Sequence, residues 1–455
     1  EIYSIDQLPN VPNYNDLIVK GRSSTIDVNE LMNAVQPLDV ATILYTSGTT
    51  GTPKGVMLMH NNIVSNVLAS EHLCPVGPGD RALSFLPLCH SYERMLTYLY
   101  MYIGVSIYYA ESIELIGANL KEIKPQVFST VPRLLEKVYD RIVNTGKELK
   151  GIKHKLFFWA LDLGLRYEKD GKNGSWYEFQ LKLANKIIFS KWREALGGNV
   201  RVIVSGGAAL QPRLARVFWS AGINVLEGYG LTETSPVIAV NNLEPRGSAF
   251  GTVGPVIKGV EVMIAEDGEI LCKGPNVMKG YYNRPDLTAE VIDDKGWFHT
   301  GDIGCFIEGH YLKITDRKKE IFKTSGGKYV APQALENKFK ESLFIEQIMV
   351  IGENRKFPSA LIVPDFTHLK KWCEIHNIPF TSKSDVILKL EVIDRIQKEV
   401  DHYNLDFGQS EQIKKFILLS DEWTVDSGEL TATLKLKRKI INEKYNSRIE
   451  KMYSE

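Results

Sequence analysis

Leu44-Tyr45-Thr46-Ser47-Gly48-Thr49-Thr50-Gly51-Thr52-Pro53-Lys54-Gly55-Val56 is the stretch on which the reading of this chain turns. The apolar run 41–45 predicts a buried strand, and the Thr, Ser and Gly that follow are too dense for a regular element. The expectation is a strand running into a phosphate loop. Glycines let the backbone approach a polyphosphate, hydroxyls and amide N–H groups donate to its oxygens, and Lys54 adds a mobile positive charge. Three glycines, five hydroxyls and one lysine within residues 46–55 weigh against a plain polar turn. The stretch is not a G-x-x-x-x-G-K-[ST] loop, because Pro53 precedes Lys54 and Gly55 follows it. That disfavours a Walker-type kinase or GTPase.

Composition narrows the class. A chain of 455 residues suggests two or three packed units, and 44% hydrophobic with 24% charged residues is ordinary for a soluble globular protein. Lys plus Arg (55) balances Asp plus Glu (55), which argues against a nucleic-acid reader with a broad basic face. Cys74, Cys89, Cys272, Cys305 and Cys373 have no C-x-x-C spacing, so neither a disulfide framework nor a zinc site is expected. They read as buried thiols of a reducing, cytoplasmic compartment. The chain opens Glu1-Ile2-Tyr3-Ser4 with no start methionine and no apolar leader, as if it began inside a longer protein. Its most lipid-like stretch, 96–110, is shorter than the ~20 residues of a spanning helix and predicts a buried helix and strand. Peripheral membrane contact and oligomerisation stay open.

Outward from the loop, residues 1–40 read as a connecting arm without chemistry, 61–70 as a helix, and 81–87 as a strand ending at Pro87. Residues 126–129 and 201–205 predict further short buried strands, which makes an α/β sheet with its loops at one carboxyl edge. From 134 to 196 the pattern turns to long amphipathic helices broken at Asp170-Gly171-Lys172-Asn173-Gly174, an inserted helical hairpin. Its Phe157, Phe158, Trp159, Trp176 and Phe179 are expected to pack on the large unit, the alternative being a greasy tunnel. After Arg246 short strands with Gly turns predict a small β subdomain, with a hairpin at 260–272. The charge run Asp316-Arg317-Lys318-Lys319-Glu320 separates this from a last α+β unit.

Four further stretches offer chemistry. Ser205-Gly206-Gly207-Ala208-Ala209 has too little bulk to keep a flat ring from its backbone. Glu227-Gly228-Tyr229-Gly230-Leu231-Thr232-Glu233-Thr234 sets an aromatic between glycines, ready to stack on a base, and Glu233 offers a hard oxygen to Mg²⁺. Asp302, read as held in a Gly-bounded turn, accepts from ribose hydroxyls, and Arg317 donates to the same sugar. The blander readings are a tight turn, a surface aspartate and a solvated charge run. Residues 428–439, Gly-Glu-Leu-Thr-Ala-Thr-Leu-Lys-Leu-Lys-Arg-Lys, read by themselves as a basic helix start.

In order and separation these stretches resemble the adenylate-forming (AMP-binding) superfamily, and segment 302–329, the helical insertion and Leu86-Pro87-Leu88-Cys89-His90-Ser91-Tyr92-Glu93-Arg94 resemble its long-chain fatty acyl-CoA synthetase branch. The resemblance runs from about Asp39 to the end. It implies a large N-terminal AMP-binding domain of several α/β subdomains at 1–315, N-terminally incomplete, with the helical insertion at about 134–196. A hinge at 316–319 and a mobile α+β C-terminal lid at 320–455 complete it.

The resemblance also distributes roles. Thr46, Ser47, Gly48, Thr49, Thr50, Gly51 and Lys54 hold the ATP phosphates, and Thr46 and Glu233 the Mg²⁺. Gly206, Gly207, Ala208, Tyr229, Gly230, Thr232, Asp302 and Arg317 hold adenosine. Lys435 is the mobile catalytic lysine, with Lys437 the alternative because Ala432 replaces a usual proline; Glu233 and His90 complete the catalytic set, His90 beside the acyl site. Lys319, Lys323 and Tyr329 belong to the hinge and coenzyme A side. The implied function is an ATP-dependent long-chain fatty acid–CoA ligase working through an acyl adenylate. A fatty acyl-AMP ligase loading a carrier protein, an aryl or other acid–CoA ligase, and a non-catalytic nucleotide-binding scaffold are the alternatives.

Overall fold

The computed structural model describes residues 2–46, 53–431 and 434–454. Among them the largest sheet has six strands, in the order Ser106–Tyr109, Arg81–Ser84, Val127–Thr130, Val202–Ser205, Asn224–Gly230 and Val237–Val240. All neighbours are parallel except the last pair. A parallel sheet needs cover on both faces, and alternation along the short apolar strands provides it. Leu83, Phe128, Ile203 and Val225 face one core, while Ala82, Val127, Val202 and Leu226 face another with Met95, Leu96, Leu99 and Tyr100. The predicted strands at 126–129 and 201–205 are present, and that at 81–87 is present but ends at Ser84, three residues before Pro87. The helix in the 96–110 stretch is also present, as Ser91–Ile103, but the strand after it lies at the sheet edge and leaves Tyr108 and Tyr109 exposed.

The insertion is more than a hairpin. Helices Pro132–Glu148 and Gly151–Leu165 are followed by Ser175–Ala184, which continues through one π-helical turn, Asn185–Phe189, into Ser190–Ala195. The unforeseen break falls just ahead of Gly151, at Leu149 and Lys150, whose backbone is extended, and Gly151 takes φ +59° as the second helix begins. Gly146 lets the first two helices close: a Cβ there would stand 2.1 Å from the Phe157 ring. Phe157, Leu161, Phe189 and Trp192 pack on Leu214 and Phe218 of the large unit. Trp176 (71% exposed) and Phe179 (60%) instead stack on each other at the surface, so the insertion's aromatics line no tunnel together.

Strand Val40–Thr46 pairs antiparallel with Lys54–Met59, and Gly280–Tyr281 adds a third strand. The first of these was expected to be buried, yet only Leu44 is. Its apolar residues alternate across a sheet covered on one face. The arm before it carries two short helices, Tyr14–Arg22 and Val28–Ala34, with no buried residue. The small β subdomain is an antiparallel sheet in the order Tyr311–Arg317, Phe298–Ile307, Glu269–Lys273 and Glu261–Ile264, with the predicted hairpin at Asp267-Gly268. All five cysteines are free; Cys272 and Cys373 are buried as expected, Cys74 is intermediate, and Cys89 and Cys305 are exposed, on a loop and on an outward strand position. Among the described residues no helix is long and apolar enough to cross a membrane.

The C-terminal unit pairs strands Ile345–Ile351, Ser359–Pro364 and Lys415–Leu418 under helices Pro332–Phe339, Leu390–Asn404 and Arg438–Ser454. Its core, including Phe339, Ile348, Leu361, Ile396, Trp423 and Ile441, draws only on residues from Phe322 onward. Arg438 braces it: Nη2 reaches both Glu336 oxygens at 2.7 and 2.8 Å and Nε reaches Glu320 at 3.0 Å. Glu336 is buried and also accepts from the Val350 N–H. Removing one partner of such a group strands the other in low dielectric, so Arg438→Met is expected to lower the stability of the C-terminal unit by about 3–5 kcal/mol, read from its denaturant midpoint.

Candidate active site

Antiparallel pairing of Phe298–Ile307 with Tyr311–Arg317 sets Asp302 directly opposite Arg317. The aspartate therefore sits in a strand, not in the glycine-bounded turn expected, although Gly301 before it does adopt φ +71°. Arg317 Nε lies 3.2 Å from Oδ1 of Asp302, and the Tyr229 hydroxyl donates to Oδ2 at 2.8 Å. Asp302 is only 5% exposed. Burial pushes its carboxyl up from the usual carboxylate range, while Arg317, the Tyr229 hydroxyl and Lys435 pull it back.

Lys435 arrives from the C-terminal unit, three residues ahead of helix Arg438–Ser454. Its backbone N–H donates to Thr431 Oγ1 at 3.0 Å and its carbonyl accepts from the Thr431 N–H, so the lysine stands in a tight turn and not at a helix start. The side chain keeps solvent contact along its length, yet its ammonium is drawn down to about 8, first by desolvation and then by Arg317, against the opposite pull of Asp302 and Glu320. Of the two candidate lysines, Lys435 is the one coupled to Asp302 and Arg317; the Lys437 N–H is tied to the Glu429 carbonyl.

A second group forms around the first strand pair. Thr46 and Lys54 are register partners, and Lys54 Nζ stands 4.8 Å from the centre of the Tyr281 ring. The Tyr281 hydroxyl donates to Glu233 Oε1 at 2.9 Å. Glu233 thus has one carboxylate oxygen fixed, and its backbone carbonyl accepts from the Met278 N–H at 2.8 Å. Among the described residues no group of three or more His, Cys, Asp or Glu converges to cage a metal there. A single oriented carboxylate of this kind fits Mg²⁺, which keeps water and phosphate as its remaining ligands. Ser47, Gly48, Thr49, Thr50 and Gly51 lie outside the described residues.

Gly206 lies buried over Tyr92, where a Cβ would come within 3.1 Å of the ring, and Gly207 (φ +85°), Ala208 and Ala209 form an exposed ledge after their strand. Gly230 is compulsory, since a Cβ would stand 1.7 Å from the Pro236 carbonyl oxygen. Thr232 and Ser91 approach at 3.5 Å, joining the Glu233 turn to the helix headed by His90. His90 itself is half-buried as that helix's N-cap residue. Lys319 is exposed in the turn after Arg317. Lys323 and Tyr329 pair across a small exposed hairpin, the lysine 5.4 Å from the ring centre, and join neither group above by any described hydrogen bond or ion pair.

Two contributors were not read from sequence. Tyr281 is one, tied to Glu233 from 48 residues away. Glu93 is the other: buried on helix Ser91–Ile103, it accepts from Ser84 Oγ at 2.5 Å and from Ser129 Oγ, and burial raises its pKa. It fastens that helix to two neighbouring strand ends. Tyr281 lies in no motif and Glu93, though within the stretch 86–94, has its partners on other segments, so only the fold brings each pair together.

The AMP-binding enzyme family model matches residues 5–282, and the model of the AMP-binding enzyme C-terminal domain matches 319–455. The long-chain-fatty-acid–CoA ligase FadD15 of Mycobacterium tuberculosis is 36% identical over 97% of this chain and 74% of its own length. Human long-chain-fatty-acid–CoA ligase 1 is 36% identical over 92% of this chain and 61% of its own. Among solved structures, the adenylation domain of a carboxylate reductase from Mycobacterium chelonae superposes with a TM-score of 0.72 at 25% identity, over 98% of this chain and 64% of that one.

The charge pattern around Lys435 fixes the sign of two substitutions. Asp302→Asn removes a neighbour that holds the proton on, so the amine is expected to titrate below about 8 and to react faster with an amine-labelling reagent at neutral pH. Arg317→Met acts oppositely and slows labelling. Peptide mass spectrometry of Lys435 across a pH series measures both.

Proposed function

The chain belongs to the AMP-binding enzyme family, and from that membership we propose that it is an ATP-dependent ligase joining a long-chain fatty acid to coenzyme A through an acyl adenylate. One observation carries the reading: the buried Asp302 carboxylate gathers Tyr229 from the large sheet, Arg317 from the facing strand and Lys435 from the C-terminal unit. Relatives named long-chain-fatty-acid–CoA ligases or long-chain acyl-CoA synthetases, 33–36% identical, support the substrate class. A cytoplasmic location goes with it.

A carboxylate is a poor acyl donor, since its charge repels nucleophiles and oxide is a very poor leaving group. Attaching AMP removes both obstacles. In the first step the fatty carboxylate attacks the α-phosphate of ATP in line and pyrophosphate leaves. In this reading Tyr229, Gly230 and Thr232 border the base with the Gly206, Gly207 and Ala208 ledge, and Asp302 and Arg317 take the ribose hydroxyls. Thr46 and Lys54 serve the departing phosphates, the role the resemblance also gives Ser47, Gly48, Thr49, Thr50 and Gly51. Bound Mg²⁺, held by Glu233 and Thr46, would offset phosphate charge. Lys435 bridges carboxylate and phosphate oxygens as charge moves between them, and its place beside Asp302 supports that role.

In the second step the coenzyme A thiol gives up its proton, its sulfur bonds to the acyl carbon, and the bond from that carbon to AMP oxygen breaks. A C-terminal unit holding Lys435 over the phosphates obstructs the thiol. A rotation about 316–319, with Lys319 in the exposed turn, clears the way. The open hairpin of Lys323, Gly326, Gly327 and Tyr329 suits a face that then turns toward coenzyme A.

Pyrophosphate exchange into ATP, measured across acids of several chain lengths, tests the reading. Exchange is expected with long aliphatic acids and not with aryl or amino acids, and to fall about a thousandfold or more in Lys435→Ala. Supplying coenzyme A or a carrier protein as the thiol separates the two acceptors. ATP binding with no exchange for any acid overturns the assignment. Because Lys435 loses its proton as pH rises through about 8, kcat/KM for ATP is expected to fall above that value, while slower Lys435→Arg stays flat from about pH 7 to 9.

A further inference from the structure

Away from Lys435 the C-terminal unit touches the large unit a second time, along the first insertion helix, Pro132–Glu148. Arg133, at the head of that helix, forms an ion pair through Nη2 with Glu346 of strand Ile345–Ile351. Its Nη1 holds Glu136 of its own helix at 2.9 Å. The side chains of Arg133 and Glu346 are 21% and 23% exposed, well inside the boundary. Toward the other end of the helix, Lys147 Nζ meets His368 Nδ1 at 3.2 Å and Glu148 meets Lys371 at 3.6 Å. At ~1.5 Å rise per residue these contacts stand about 20 Å apart along one rigid rod.

We propose that Arg133 and Glu346 are a positioning pair, a second anchor beyond the linker that holds the C-terminal unit where Lys435 faces Asp302 and Arg317. A linker alone leaves a rotation free, and one further point of attachment removes it. Lys435 and Glu346 belong to the same packed body, so whatever fixes Glu346 fixes Lys435. The surroundings make the guanidinium decisive. Glu136, Asp140, Glu346 and Asp365 all line the cleft around Arg133, and burial together with Glu346 pushes the Asp140 carboxyl up to about 6. Arg133 is the strongest cation on Glu346, ahead of Lys137 of the same helix, and the cleft's other cations are Lys147, Arg213 and Lys340; without Arg133, Glu346 loses its one direct ion pair across the boundary while Glu136 and Asp140 remain opposite it. Arg133 touches no substrate; it acts through the placement of Lys435.

The inference rests on the adenylating role proposed for Lys435, and the test separates the two. Arg133→Glu, Glu346→Arg and the double exchange are prepared, with Arg133→Met as a milder variant, and melting temperatures are recorded. Pyrophosphate exchange is expected to fall about tenfold in each reversal and to return to within about threefold of wild type in the double exchange. Thiolysis of supplied acyl adenylate by coenzyme A stays unchanged or quickens. Independently of activity, Lys435 labelling at neutral pH is expected to slow in the reversals, as the amine leaves Arg317 and regains an ordinary pKa, and to recover in the exchange. Wild-type labelling in both reversals and in Arg133→Met, or a double exchange no better than the singles, overturns the pair. Should the wild type exchange pyrophosphate with no acid, the ligase reading falls while labelling still judges the anchor.

Discussion

Everything at the candidate site answers to the cost of keeping one carboxylate out of water. Asp302 lies on a strand whose neighbours bury it, and an ionised group there persists only with partners in good geometry. The fold supplies them from three directions: a cross-strand arginine fixed by register, a phenol from the edge of the large sheet, and a lysine from a separately packed unit. Because the third partner comes from a different body, the electrostatic state of the aspartate reports where that body stands. Structure and chemistry are coupled through a single desolvated charge.

The large sheet makes this convergence reproducible. Its two faces are claimed by different cores, so the four central strands are held in register from both sides, and the strand ends that bear Ser205 and Tyr229 inherit that rigidity. Glu93 adds a polar fastening beneath, tying one helix to two strand ends through Ser84 and Ser129. Small residues at the strand ends, as at Gly206 and Gly230, sit on a closely packed scaffold.

The sequence was informative wherever chemistry is local. Short apolar runs at 126–129 and 201–205 read as buried strands to within a residue of their observed ends, and the glycine-flanked Tyr229 and the Asp302 and Arg317 segments were visible as candidate sites because their residue types are unusual together. It was least informative where coverage decides. Nothing in Val40–Thr46 says that one face of its sheet is left open, and glycines either side of Asp302 suggest a turn although the partner strand extends it. The break ahead of Gly151 lacks a proline, and so two helices looked like one. Tyr281 was invisible because its importance lies in meeting Glu233 and Lys54, residues that share no segment with it.

Along helix Pro132–Glu148 the boundary between the two units is ionic, and among the described residues no hydrophobic core cluster spans it: the C-terminal core takes all its members from one side. Pulling the units apart would therefore wet charged and polar groups that already border water and expose little apolar surface. Apolar hydration is what gives protein transitions their heat-capacity change. A swing of this unit is accordingly nearly athermal in curvature, with an equilibrium that drifts gently with temperature and responds far more to ionic strength. That sets it apart from unfolding of either unit, which a few degrees can decide.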